Sequence, residues 1–600
     1  MTTDDPSAGT ELPGANLERM NANLARVEEL TERLVSAVSR KRRIDPNLQG
    51  PGHELYMKAA AAYVSEVLHN PSKLIEHQVA YWGKALKHYV EAQQALARGT
   101  LQAPPDETPH DARFSNPLWK THPYFNFVKQ QYLMNAEAIG RAVDDIEGLD
   151  PVDAKRLKYF TRQIVDLFSP SNFLGTNPEA LARAVETEGQ SLVDGLENLV
   201  RDIEANEGEV LVSLADKNAF QVGANLGTAP GKVVFRNRLM ELIQYTPDTD
   251  EVHATPLIIF PPWINKFYVL DLTPQKSMIR WLVGQGYTVF VVSWVNPDAS
   301  YAEVGLDDYV QEGYLAAIGE AKALTGEDKV NVAGYCIAGT TLALTLALMR
   351  KRGDNSVRSA TFFTTLTDFS DQGEVGVFLD DDFVDGIERE VTEKGYLDSF
   401  FMSRTFSYLR SNDLIYRPAI RSYMMGEAPP AFDLLFWNSD STNLPAKMVI
   451  EYLRGLCQQD RFARDGFEIC GESVRLSDVR VPVCAVACET DHIAAWASSY
   501  EGVRQMGARS RLFILSQSGH IAGIVNPPGR RKYGHYVSDA PMAGLDAEDW
   551  RATTTFHEGS WWPRWDDWLK RRSGRKVPAR DPGKGLCDAP GIYVTGEKDI

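Results

Sequence analysis

Three side chains suited to acyl transfer occur in the order cysteine, aspartate, histidine: Cys336, Asp491 and His520. Cys336 lies in KVNVAGYCIAG, residues 329–339, which reads as strand, sharp turn and helix, the setting of a nucleophile elbow. A nucleophile in so tight a turn needs small neighbours, and Gly334 supplies the first. The second small position holds Ala338, so the strict G-x-C-x-G pattern is not met, although Gly339 follows directly. On this motif alone Cys336 reads equally well as a nucleophile or as a buried structural cysteine. A helix N-terminus beneath it would favour the thiolate.

A cysteine nucleophile needs a base, and the base needs an acid to orient it. Asp491 follows the apolar run 481–487 in CETDHI, and His520 follows the run 512–515 in SQSGHI. Both therefore sit just beyond strand ends. His492 is the rival base, but it adjoins the acid, and consecutive side chains on extended backbone diverge. His520 is the expected base and Asp491 its partner. Asp368 and Asp440 are weaker acid candidates, better read as capping or insert residues. The oxyanion formed on attack needs amide donors. The N–H of Ile337, next after the nucleophile, is one. The loop FPPWINK, through Ile264, is the expected source of the other, and it reads equally as a rigid proline turn with a packed tryptophan. Trp263 and Asn265 of that loop are candidate substrate-binding residues.

The elements that must hold these residues are visible as short β-branched runs at 257–260, 288–293, 329–333, 481–487 and 512–515, separated by helical stretches. Such alternation implies parallel strands joined by crossover helices, with the active site at their carboxyl ends. Between 352 and 471 the rhythm gives way to an aromatic and acidic insert, which reads as a lid over the site or as a rigid cap or dimer surface. This is the expected organisation of an α/β-hydrolase fold over 221–600, with a mostly helical region over 1–220 before it. Within that region Leu17, Met20, Leu24, Val27, Leu34 and Val38 form an apolar stripe followed by the basic run 39–43. The stripe predicts one amphipathic helix packed on its own domain, with a coiled-coil arm as the alternative.

Composition limits the function. At 600 residues the chain exceeds what one core serves, so two regions are expected. A formal charge of -18 argues against non-specific nucleic-acid binding, which needs a cationic face. The six cysteines show neither metal-ligand spacing nor a disulfide pattern. The start MTTDDPSAGTELPG lacks the basic and apolar parts of a signal peptide, so a cytoplasmic location is expected. Residues 330–349 are almost uncharged and long enough for a membrane span. Asn331, Gly334 and Gly339 interrupt them, and a buried strand and helix account for them better.

The segments PPWINKFYVLDL, SWVNPD, GYCIAGTTLAL, FWNSDSTNLP, ETDHIAAW, SGHIAGIVNPP and GSWWPRW resemble those of class I polyhydroxyalkanoate synthases. HPYFNFVKQQYLMNA and SPSNFLGTNPEAL extend the similarity, which runs from about 120 to 570. The resemblance implies Cys336 as acylated nucleophile, His520 as general base and Asp491 as its acid. It implies an (R)-3-hydroxyacyl-CoA substrate with a short side chain such as 3-hydroxybutyryl, a polyester product, a homodimer and association with polymer granules. No metal or redox cofactor is needed. Arg530, Arg531, Lys532 or Arg564 would meet the phosphates of CoA, unless they are solvated surface charges. A cysteine-dependent thioesterase or polyester hydrolase is the nearest alternative, and a non-enzymatic granule-associated protein the other.

Overall fold

The structure is a computed structural model. It describes residues 14–39, scattered positions between 48 and 90, and residues 110–596. The stretch before Gly14 and the basic run beyond Ser39 lie outside the described residues, as do the side chains of Leu17 and Met20.

The chain divides into two compact units. One takes most described residues up to Leu214 together with Arg410–Pro430, and the other takes Ala215–Leu409 and the residues from Ala431 onward. The first unit is helical. Its α1 (Gly14–Ser39) packs on α2 (Gln190–Ala205) through Leu30, which is fully buried against Val193 and Val200. Arg26 and Arg33 reach Glu197 and Glu204 at 2.6 and 2.7 Å. The predicted stripe is met only in part: Leu34 packs on this cluster, but Leu24, Val27 and Val38 are exposed, and Leu30 and Ala37 carry the buried face. Neighbouring apolar residues on both sides of the helix made the two registers look alike.

The second unit is built on one sheet of eleven strands. In chain order these are β1 (Gly231–Arg236), β2 (Met240–Tyr245), β3 (Leu257–Phe260), β4 (Val289–Trp294), β5 (Val330–Tyr335), β6 (Val357–Phe363), β7 (Val483–Cys488), β8 (Arg511–Ser516), β9 (His535–Val537), β10 (Thr555–His557) and β11 (Cys587–Asp588). Their spatial order is β10-β9-β8-β7-β6-β5-β3-β4-β2-β1-β11. The six strands from β4 to β8 in space are parallel, and the outer strands pair antiparallel. Residues of β3, β4, β5 and β7 are buried on both faces, which is why they read as continuous apolar runs.

Five of the six parallel strands lie within a residue or two of the positions read from the sequence. The sixth, β6, falls inside the stretch 352–471 taken as one insert. It occupies the sheet centre between β5 and β7, so the insertion begins only after Phe363 and runs to β7. Residues 330–349 form β5 and most of helix α3 (Ile337–Lys351), both deeply buried. No helix among the described residues is long and apolar enough to cross a membrane.

Candidate active site

Cys336 stands between β5 and α3 with φ 54° and ψ -128°, a left-handed conformation that costs a non-glycine residue on the order of 1–3 kcal/mol. Neighbouring contacts hold it there. Its N–H donates to the Phe363 carbonyl at 2.8 Å, and its own carbonyl accepts from Thr365 Oγ1 at 3.2 Å. Strand and helix approach so closely that a Cβ on Gly334 would stand 2.6 Å from Gly339 Cα, and one on Gly339 would stand 2.1 Å from Thr365 Oγ1. The glycine this elbow requires on the helix side is therefore Gly339. Ala338 is fully buried without conflict, which explains how the departure from G-x-C-x-G is tolerated.

Asp491 lies three residues past β7. Its Oδ1 accepts the N–H groups of Ile493 and Ala494 at 2.8 and 2.9 Å, and its Oδ2 faces His520 Nδ1 at 2.7 Å. With one oxygen held by two backbone donors, the other is fixed in direction. His520 lies beyond β8, after Ser518 at φ 80° and Gly519. The imidazole is almost fully buried, stacks on Tyr335 at 5.9 Å, and its backbone carbonyl accepts from the Tyr335 hydroxyl at 3.2 Å. Burial alone would lower its pKa. The Asp491 carboxylate, then the charge of Cys336 and hydrogen bonds to both partners, lift it instead to about 10. The structure thus brings Cys336, His520 and Asp491 into one chain of interacting groups at the carboxyl ends of β5, β7 and β8. The Asp491 carboxylate engages His520 and not the adjacent His492. Asp368 accepts from Ser370 and Gln505, and Asp440 from Tyr268 and Lys266, so both serve structural networks.

Two motifs whose role the sequence did not disclose hold this centre in place. In GSWWPRW, Trp561 and Trp562 donate their indole N–H groups to the carbonyls of Gly523 and Ile524 at 2.7 and 2.9 Å, and Trp565 donates to Thr361 at 2.9 Å. The first two carbonyls lie three and four residues after His520, so these rings clamp the histidine loop. All three tryptophans are fully buried, and truncating any one to alanine costs about 3–5 kcal/mol. The second motif is FWNSDSTNLP. Its Thr442 N–H donates to the Ile264 carbonyl and its hydroxyl to the Trp263 carbonyl, at 3.1 and 2.8 Å, while Trp437 donates to Lys266 at 2.7 Å. These bonds fix the FPPWINK loop. Both partnerships join residues far apart in the chain, so no local signal could have revealed them.

Trp263 itself is in the core, 1% exposed, with its indole N–H on Thr341 Oγ1 at 3.2 Å. It braces the loop against α3 from beneath. Asn265 is half-buried, and its Oδ1 has no hydrogen-bond partner. Arg530, Arg531 and Lys532 are exposed, as is Arg564, whose nearest carboxylate is Asp539 at 3.9 Å. The insertion contributes Tyr452, from a π-helical segment (Glu451–Gln458), packed edge-on against Trp263 at 5.6 Å and Phe369 at 6.0 Å. Its phenol is pushed well up by burial, with the nearby charges of Cys457 and Cys336 adding to the effect. All six cysteines are free, and among the described residues no group of three or more His, Cys, Asp or Glu is arranged to hold a metal.

Comparison with known proteins agrees with this architecture. Residues 110–282 match the family described as poly-beta-hydroxybutyrate polymerase N-terminus, and residues 255–527 match the alpha/beta hydrolase fold. The chain is similar to a poly(3-hydroxyalkanoate) polymerase of Methylorubrum extorquens, 41% identical over 91% of each chain. It is also similar to a poly(3-hydroxyalkanoate) polymerase subunit of Rhizobium meliloti, 40% identical over 88% of this chain and 86% of that one. The corresponding subunit of Cupriavidus necator is 39% identical over 87% and 88%.

Proposed function

Because the chain belongs to the poly(3-hydroxyalkanoate) polymerases and is an acyltransferase of their class I, we propose that it lengthens a polyester from (R)-3-hydroxyacyl-CoA through an acyl thioester on Cys336. The short-chain substrate 3-hydroxybutyryl-CoA is the favoured monomer. The observation that carries the reading is the fixed Asp491–His520 pair directed at the Cys336 thiol.

In the first half-reaction the Cys336 sulfur attacks the thioester carbonyl after its proton passes to His520 Nε2, whose Nδ1–H is held by Asp491. The oxyanion is met by the N–H of Ile337 at the start of α3 and by a donor of the FPPWINK loop near Ile264. The C–S bond to CoA breaks, and the leaving thiolate takes the proton from His520. Acyl-Cys336 remains activated, because one thioester has replaced another. In the second half-reaction His520 removes the proton of a 3-hydroxyl, the hydroxyl oxygen attacks an acyl thioester, and an ester bond replaces the broken C–S bond while the departing thiolate takes the proton back from His520. Water competes at this step, so the cap formed by the insertion has the role of keeping the site dry. A homodimer working at the surface of a polymer granule, with the helical unit serving subunit or polymer contacts, completes the proposal.

The test is product analysis after CoA release from (R)-3-hydroxybutyryl-CoA. Polymer is the expected product. Stoichiometric free 3-hydroxybutyrate would make the protein a thioesterase, and absence of any CoA release would make it a non-enzymatic granule protein.

A further inference from the structure

Helix α3 carries Cys336 at its N-terminal end, and roughly 20 Å away, by the 1.5 Å rise per residue, its C-terminal end borders a second concave site. This is a cleft of about 680 Å3 at the N-terminal ends of β6, β7 and β8. Three guanidiniums line it: Arg350 from the last turn of α3, Arg480 from the loop before β7 and Arg509 from the loop before β8. Among the described residues none of the three has an ion-pair or side-chain hydrogen-bond partner, in a chain whose acidic residues outnumber its basic ones 81 to 63. Arg350 answers the negative end of the helix dipole, but Arg480 and Arg509 come from loops and have no such reason to be there. The carboxylate in the cleft, Asp354, is partly occupied by the Ser356 N–H at 2.8 Å.

The remaining lining joins the polar Asn355, Ser477 and Ser510 to an apolar strip at Val481 and Pro482, over the buried Leu346 and Met349. Guanidinium forks match phosphate oxygens in pairs, and a cleft of this volume suits a small organic molecule rather than an inorganic ion alone. We propose that this cleft binds a nucleoside di- or triphosphate, its phosphates held by Arg350, Arg480 and Arg509 and its base laid against the half-buried Val481 and Pro482. The site is separate from the catalytic centre, so an occupant leaves the path to Cys336 open.

The test titrates ADP, pyrophosphate and adenosine into the full chain by calorimetry, alongside the double variant Arg480→Ala/Arg509→Ala. Both arginines are exposed and outside the catalytic machinery, so the variant is expected to keep the wild-type Tm and rate of CoA release. ADP should bind more weakly as salt rises, with pyrophosphate and adenosine each at least about tenfold weaker. The double variant should lose at least about tenfold in ADP affinity, or about 1.4 kcal/mol. Equal ADP affinity in the variant, or no ADP binding up to about 5 mM, overturns the site. Pyrophosphate binding as tightly as ADP overturns the assignment to a nucleotide.

Discussion

Replacing Asp491 by asparagine separates charge and proton placement from shape. Two backbone N–H groups donate to Oδ1, and His520 Nδ1 stands 2.7 Å from Oδ2. An asparagine that keeps its carbonyl on the backbone donors must turn its NH2 toward His520, which forces Nδ1 to accept and puts the ring proton on Nε2. The imidazole then has no lone pair for the Cys336 thiol. Turning the amide the other way leaves two buried N–H groups facing NH2, at about 1–3 kcal/mol each, so the first arrangement wins. A tautomer error of this kind in a serine protease triad lowers kcat by about four orders of magnitude. We expect a loss of about 10³–10⁴, or roughly 4–5.5 kcal/mol at 1.36 kcal/mol per decade. CoA release from (R)-3-hydroxybutyryl-CoA at saturation is the assay. The pH dependence gives a second readout. A histidine whose folded pKa is raised from about 6.5 to about 10 stabilises the fold fully below 6.5 and loses that contribution as pH rises through 10. The variant should therefore lose more stability at pH 6 than at pH 10.5. Activity within tenfold of wild type, with an unchanged stability profile, would refute the assigned geometry.

Gly339→Ala would place a methyl 2.1 Å from Thr365 Oγ1, and should destabilise the protein by about 1–3 kcal/mol, read as a lower midpoint in urea together with reduced activity. Trp561→Phe keeps most of the ring but removes the donor to the Gly523 carbonyl. Because Ser516 Oγ also reaches that carbonyl at 3.0 Å, the stability cost should stay near about 1 kcal/mol, while kcat falls more than KM changes as the His520 loop loosens. Thiol labelling of the folded protein should reach at most Cys336, Cys470 and Cys587. Cys457, Cys484 and Cys488, buried and with their thiols pushed up by burial, should label only on unfolding, as peptide mapping would reveal.

The parts of this fold that could be read from the sequence are those with a local cause. The parallel strands are apolar because both faces are covered, and that locates Asp491 and His520 just past strand ends. β6 escaped because Arg358, exposed at the strand start, and Ser359 interrupt its apolar run after a polar turn. The small residue that matters in the elbow, Gly339, was displaced by one from the expected Ala338 because the close approach is to Thr365 on a strand-end loop distant in sequence. The tryptophan clamp on the histidine loop spans 38 residues, and the brace on FPPWINK spans far more, so neither leaves a periodic trace. The face of α1 was read one step away, because Leu30 and its neighbours offer two apolar stripes and only packing on α2 selects between them.

The most direct test of the central claim is to incubate the protein briefly with radiolabelled (R)-3-hydroxybutyryl-CoA, quench in acid, and map the labelled peptide by mass spectrometry, comparing wild type with Cys336→Ala. A hydroxybutyryl thioester is expected on the peptide bearing Cys336, with neither label nor polymer from the variant. Label on another residue, or polymer made by Cys336→Ala, would contradict it.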